Sequence, residues 1–139
     1  MDKGVIVFLI AVLAIGLVTL VIVIISKRGG SQLNIQKYQS QWLSIEASLK
    51  RDEPASAQLA ILNADKLVDA ALRERGFKGQ TMGERMKSAQ TTWKNANHIW
   101  GAHKIRNRIA HEPDINITYD IARRALTAYK QALKDLGAI

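Results

Sequence analysis

The sequence predicts an all-α membrane protein, with a single N-terminal transmembrane helix followed by a bundle of four or five helices. Three observations lead there. Residues 4–26 form an unbroken apolar run with no charged side chain. The remaining chain repeats its apolar residues every three or four positions and shows no period-two alternation, so strands are not expected. Breaker segments at 52–54 and 112–117 divide that remainder into helical stretches.

The apolar run consists almost entirely of Val, Ile, Leu, Ala and Phe. At 1.5 Å rise per residue, about 23 residues give a helix of roughly 34 Å, enough to cross a ~30 Å hydrocarbon core with some tilt. The bilayer demands a helix, because lipid cannot satisfy exposed backbone N–H and C=O groups. A cleaved signal peptide has a shorter apolar core and a small-residue cleavage site, whereas this run exits through Ile25, Ser26, Lys27 and Arg28. The expectation is an anchor over residues 1–28 with its span at 4–26. Asp2 and Lys3 nearly cancel, while Lys27 and Arg28 follow the span directly. The positive-inside rule therefore expects the C-terminal domain in the cytoplasm, at the cell membrane. Residues 29–32, with Gly29, Gly30 and Ser31, read as a short flexible joint.

Residues 33–139 are a normal length for one domain. The chain has no cysteine, which excludes disulfide staples and thiolate metal sites. Its net charge of +8 lies C-terminal to the apolar run and suggests an anionic partner, whether lipid headgroups, nucleic acid or an acidic protein.

The first helix of this domain is expected at about 33–51, with Tyr38, Trp42, Ile45 and Leu49 on one stripe. A second runs from Pro54 to about Arg75, with Ala57, Ala60, Ile61, Ala64, Leu67, Val68, Ala71 and Leu72 inward. Asn63, Asp65, Lys66, Asp69 and Arg73 fall on the opposite, solvent-facing side, and Gly76 stops the helix. Thr81 and Glu84 have capping-box spacing and open a short third helix. A fourth runs from about Asn97 to Ala110 or His111, before Pro113. Thr118 caps the last helix, whose arc carries Ile121, Ala125, Tyr129, Ala132, Leu133 and Leu136.

Residues 85–111 hold six Lys/Arg residues and all three histidines, with no acid. The plain reading is a solvated cationic face, and the sharper one an anion-binding surface. On the fourth helix Gly101, Ala102, Ile105 and Ile109 share one side. Ile99, Trp100, His103, Arg106, Asn107 and Ala110 share the other. A second non-solvent face implies burial inside the bundle or contact with another subunit.

The segment from His103 to Glu112, HKIRNRIAHE, resembles the signature of the HEPN superfamily of small helical-bundle domains, many of them metal-independent endoribonucleases. Arg106, Asn107 and His111 match its Arg, polar residue and His. Pro113 stands where the toxin branch often carries Tyr. The resemblance implies a HEPN-like bundle over 33–139, a homodimer with a composite site, and RNA as ligand, with no cofactor and no metal. Where such a site cleaves, His111 exchanges protons with the 2′-hydroxyl or the leaving oxygen. Arg106 holds the scissile phosphate, and Asn107 orients either partner. Lys104, Arg108 and His103 would hold the RNA backbone.

Other readings use the same residues. Arg106 and His111 can serve the helix C-terminus. Trp42, Trp93 and Trp100 read as core or interface anchors rather than stacking platforms. His98, His103 and His111 are spaced poorly for zinc, and no Walker pattern is present. The principal alternative function is a non-catalytic helical module that dimerises and docks a protein partner or anionic lipid. A third makes the chain one half of a two-component toxin or defence system.

Overall fold

The structure, a computed structural model, describes residues 2–28 and 31–139. The described residues form six α-helices and no strand. They divide into two units, with the boundary at Gly30 and Ser31.

The first unit is α1, Lys3–Arg28. From Lys3 to Ile24 it is long and apolar enough to cross a membrane, and none of that span is buried within the protein. Its one internal hydroxyl with a described partner, Thr19 Oγ1, donates to the carbonyls of Ile15 and Gly16 at 3.0 and 2.9 Å. That bond hides a polar group that apolar surroundings would leave unsatisfied. Gly29 and Gly30 of the expected joint lie outside the described residues; Ser31 and Gln32 are non-helical.

The second unit holds α2 (Ile35–Ser48), α3 (Pro54–Glu74), α4 (Met82–Ser88), α5 (Ala96–His111) and α6 (Tyr119–Asp135). Side-chain caps fix most of the helix starts. Asn34, Thr81, Asn95 and Thr118 each accept the backbone N–H three residues on. Glu84 N donates to Thr81 Oγ1, and the Glu84 carboxylate reaches one residue past the cap to accept from Gln80 N at 2.6 Å, a variant of the capping box. Pro54 opens α3, where a missing N–H costs nothing. Gly76, at φ +82°, ends it: Gly76 N donates to Arg73 O at 2.9 Å and Phe77 N to Leu72 O at 3.1 Å. These two hydrogen bonds satisfy two carbonyls that the helix end would leave open.

The centre of the bundle is α3, which packs against α2, α4, α5 and α6. Ala57, Ala60, Ala64 and Ala71 are almost wholly buried, and their small side chains let neighbouring helices approach closely. Ile61, Val68, Leu72, Tyr129, Leu133 and Leu136 fill the core between them. Each such aliphatic side chain contributes about 1.5–3 kcal/mol through burial.

Two expectations about helix faces need correction. Asp65 does not face solvent; it is 4% exposed. A helix with neighbours on four sides has little solvent face left, and the charge of Asp65 is met by partners from α5 and α6. On α5, Ile99 and Ala102 are buried while Gly101 is exposed. The inward face is rotated toward Ile99 because α5 packs against both α3 and α6.

Candidate anion-binding cleft

Asp65 is the pivot of a polar cluster between α3, α5 and α6. Its Oδ1 accepts the Tyr129 hydroxyl at 2.9 Å and lies 2.8 Å from His103 Nδ1. Its Oδ2 lies 3.2 Å from Arg106 Nε. The Nε–H is not aimed at that oxygen, so this contact is an ion pair without a hydrogen bond. Arg106 Nη1 donates instead to Asn107 Oδ1 at 3.1 Å. An ionised carboxylate only accepts, so His103 Nδ1 is the donor in this contact.

Burial, and then the Asp65 carboxylate, push the Tyr129 phenol far above its ordinary range, so it remains a donor. A buried carboxylate left alone would be costly; here three side chains meet it.

One turn further along α3, Asp69 repeats the device. Arg85, 5% exposed, donates its Nε to Asp69 Oδ1 at 2.7 Å, and Arg73 Nη2 lies 2.8 Å from Oδ2. Arg85 Nη1 also donates to the Gly79 carbonyl at 2.6 Å. These bonds hold the start of α4 against α3.

Above this floor opens a cleft of about 810 Å³. From α5 it is lined by Trp100, His103, Arg106, Asn107 and His111, and from α3 by Asp65, Lys66, Asp69 and Arg73. The loop before α4 and the helix itself add Gln80, Thr81, Met82, Gly83 and Arg85. On α5, Trp100, His103, Asn107 and His111 follow at three, four and four residues, which is one helical face. Arg106 borders that face and turns toward Asp65. Arg106 and His111, about 140° apart on an ideal helix, therefore border one cleft within one chain, and α5 runs unbroken through His111.

No family model matches the chain, and neither a curated protein nor a solved structure does. The cleft's chemistry therefore rests on its own geometry. It places four basic side chains, Lys66, Arg73, Arg85 and Arg106, against two carboxylates, with two histidines beside them. The excess positive charge and the neutral donors Asn107, Gln80 and Thr81 suit an oxyanion such as a phosphodiester. Among the described residues, no group of three or more His, Asp or Glu side chains converges as a metal site.

Of the residues singled out in the sequence, His103, Arg106, Asn107 and His111 come together here. Lys104 and Arg108 are exposed and do not line the cleft. Arg108 is engaged by Glu112 through two hydrogen bonds of 2.9 and 3.0 Å. The acid-free stretch is thus not uniformly cationic: Arg85, Arg106 and Arg108 are matched by Asp69, Asp65 and Glu112 from outside it. Sequence reasoning missed Asp65, Asp69 and Tyr129 as members of the site. Tyr129 carried a signal, since a tyrosine on an apolar arc needs a buried acceptor.

Proposed function

We propose that this chain is a membrane-tethered HEPN-like domain whose cleft binds RNA and cleaves it without a metal ion, with the domain on the cytoplasmic side and two copies forming the working unit. The observation that carries this reading is the shared cleft. The three residues that match the family signature, Arg106, Asn107 and His111, border one cationic cavity large enough for a nucleotide.

In this reading Arg106 holds the scissile phosphate and stabilises its extra negative charge. Asp65 and Asn107 fix the guanidinium so that little reorganisation is needed. His111, exposed at the end of α5, exchanges the proton with the 2′-hydroxyl or the leaving oxygen. Lys66 and Arg73 attract the flanking phosphates. The anchor confines two copies to a plane, which raises their effective concentration and favours the dimer.

The test uses the full chain in zwitterionic detergent with single-stranded and structured RNA, in excess EDTA, beside R106A and H111A. Cleavage that survives EDTA and disappears in both variants supports the enzyme. Intact RNA together with undetectable RNA binding sinks the reading.

A second reading has one observation in its favour. Lys87, Lys94 and Lys104 are exposed and lie outside the cleft, and a tethered domain meets anionic headgroups readily. There the chain is a non-catalytic module that dimerises and docks on lipid or a protein partner. Binding to phosphatidylserine vesicles that is unchanged in R106A, with no RNA binding, would favour it.

A further inference from the structure

Trp100 differs from the other two tryptophans. Trp42 is 2% exposed and Trp93 8%, and Trp93 Nε1 donates to the Met86 carbonyl at 3.0 Å. Both are core residues. Trp100 is 38% exposed and stands on the wall of the cleft.

His103 and Gly83 lie against its ring. His103 meets the indole edge to face, with ring centroids 6.2 Å apart and an interplanar angle of 77°. That imidazole is itself fixed by Asp65. Across the cleft from α4 comes Gly83: a Cβ placed there would lie 3.8 Å from Trp100 Cζ3 and 3.9 Å from His103 Nε2. The glycine seats one edge of the indole and adds no side chain to fill the space beside it. The rest of the cleft wall is mainly polar, with Asn107, Arg106, Thr81 and Gln80 beside a single apolar side chain, Met82. A protein hot spot centred on tryptophan is normally enclosed by packed groups that exclude water. A planar ligand with an apolar face, a polar edge and an attached phosphate fits this wall better.

We infer that Trp100 is the stacking seat for one unpaired nucleobase of a strand whose phosphate is held at Arg106. This rests on the reading of the cleft as an RNA site and narrows it. A base within a duplex has both faces stacked and cannot use the seat, so the ligand is single-stranded at this position. Asn107, Thr81 and Gln80 supply donors and acceptors to the base edge. Binding by stacking tolerates sequence, because every base has a π face.

The experiment compares two probes of equal charge on the full chain in zwitterionic detergent. One is a 2′-O-methyl oligoadenylate, which cannot be cleaved through its 2′-oxygen; the other is an abasic phosphodiester strand of the same length. The expected result is tighter binding of the base-bearing strand and quenching of tryptophan emission by that strand alone. W100A should lower its affinity by about 5- to 150-fold and leave the abasic strand within about twofold. W100F should keep most of the difference, and an unchanged near-UV spectrum shows that the core has survived. Equal affinity for the two probes in the wild-type chain overturns the seat but leaves the phosphate site standing. So does a base preference that persists in W100A. Binding of neither probe overturns the seat and the RNA reading together. A drop in oligomer mass in W100A assigns the indole to a subunit contact and overturns the seat.

Discussion

Asp65 Oδ1 lies 2.8 Å from His103 Nδ1, joining residues 38 positions apart in the centre of the bundle. The same carboxylate takes the Tyr129 hydroxyl and the Arg106 guanidinium, so one acid couples the core to the wall of the cleft. Removing it leaves buried donors unmatched. Asp65→Ala is expected to cost about 3 kcal/mol, near the low end for a broken buried pair because Arg106 keeps some solvent. Asp65→Asn keeps an acceptor for Tyr129 and should cost only about 1–2 kcal/mol. Urea unfolding followed by near-UV circular dichroism reads both, and a wild-type midpoint in D65A would show that the cluster contributes nothing to the fold.

Tyr129 makes this cluster sensitive to alkali. Burial and then the neighbouring carboxylate raise its pKa well above the ordinary 10.0. In the unfolded chain the phenol ionises from about pH 10, while in the folded chain it stays protonated. Its contribution is fully present below that pH and is lost as pH rises beyond it, because the unfolded state then binds fewer protons. Tyr129→Phe removes this slope and costs about 1–2 kcal/mol at neutral pH through the lost donor to Asp65. Urea midpoints taken from about pH 8 to about pH 11 should fall more steeply for the wild type than for Y129F. Burial shifts Tyr38 in the same direction, so the slope remaining in Y129F reports on Tyr38.

These residues also show what the sequence could convey. The helices and their punctuation were legible because the signals are local: Pro54, Gly76, Thr81 and Thr118 act within a turn of where they stand. The stripe Tyr38, Trp42 and Ile45 was legible from spacing alone. Asp65 was not, because a helical wheel gives periodicity but not how many neighbours cover a helix. With α2, α4, α5 and α6 around α3, its polar stripe became the floor of a cleft. The signature residues of α5 were visible as a string, but the acid that pairs with Arg106 is Asp65 of α3, from a different part of the chain. The acid-free run at 85–111 looked like one cationic surface for the same reason. Charge counted along the chain does not register ion pairs made across it.

The loop between α3 and α4 depends on one glycine. Gly79 has φ +156°, and a Cβ there would come 2.7 Å from both Arg85 N and Glu84 Cβ. Backbone cannot move aside as a flexible side-chain tip could. Gly79→Ala is therefore expected to cost about 1–3 kcal/mol and to displace the start of α4, loosening the bond from Arg85 to the Gly79 carbonyl. Hydrogen exchange should then rise in Met82–Ser88 while α6 stays protected. Unchanged exchange in α4 would mean that the loop absorbs the methyl group without moving the helix.

Arg108 and Glu112 form a two-bond ion pair at the end of α5, the turn that also carries His111. Both are exposed, so the pair matters less for stability than for charge at the cleft's end. Hydrogen bonding to Arg108 holds the Glu112 carboxyl below its ordinary pKa. The pair's contribution is therefore present above the ordinary carboxyl range and lost as pH falls through the lowered value. Glu112→Gln removes the acid at every pH and releases Arg108 to meet a phosphate. If an RNA strand runs past His111, the plot of log affinity against log salt should steepen by about 0.7, the value for one additional contact to a single strand. Acidifying the wild type through the lowered pKa should move its slope toward that of E112Q. In E112Q/R108A the slope should return to the wild-type value, and a slope that stays steep in that double variant would assign the extra contact to a cation other than Arg108.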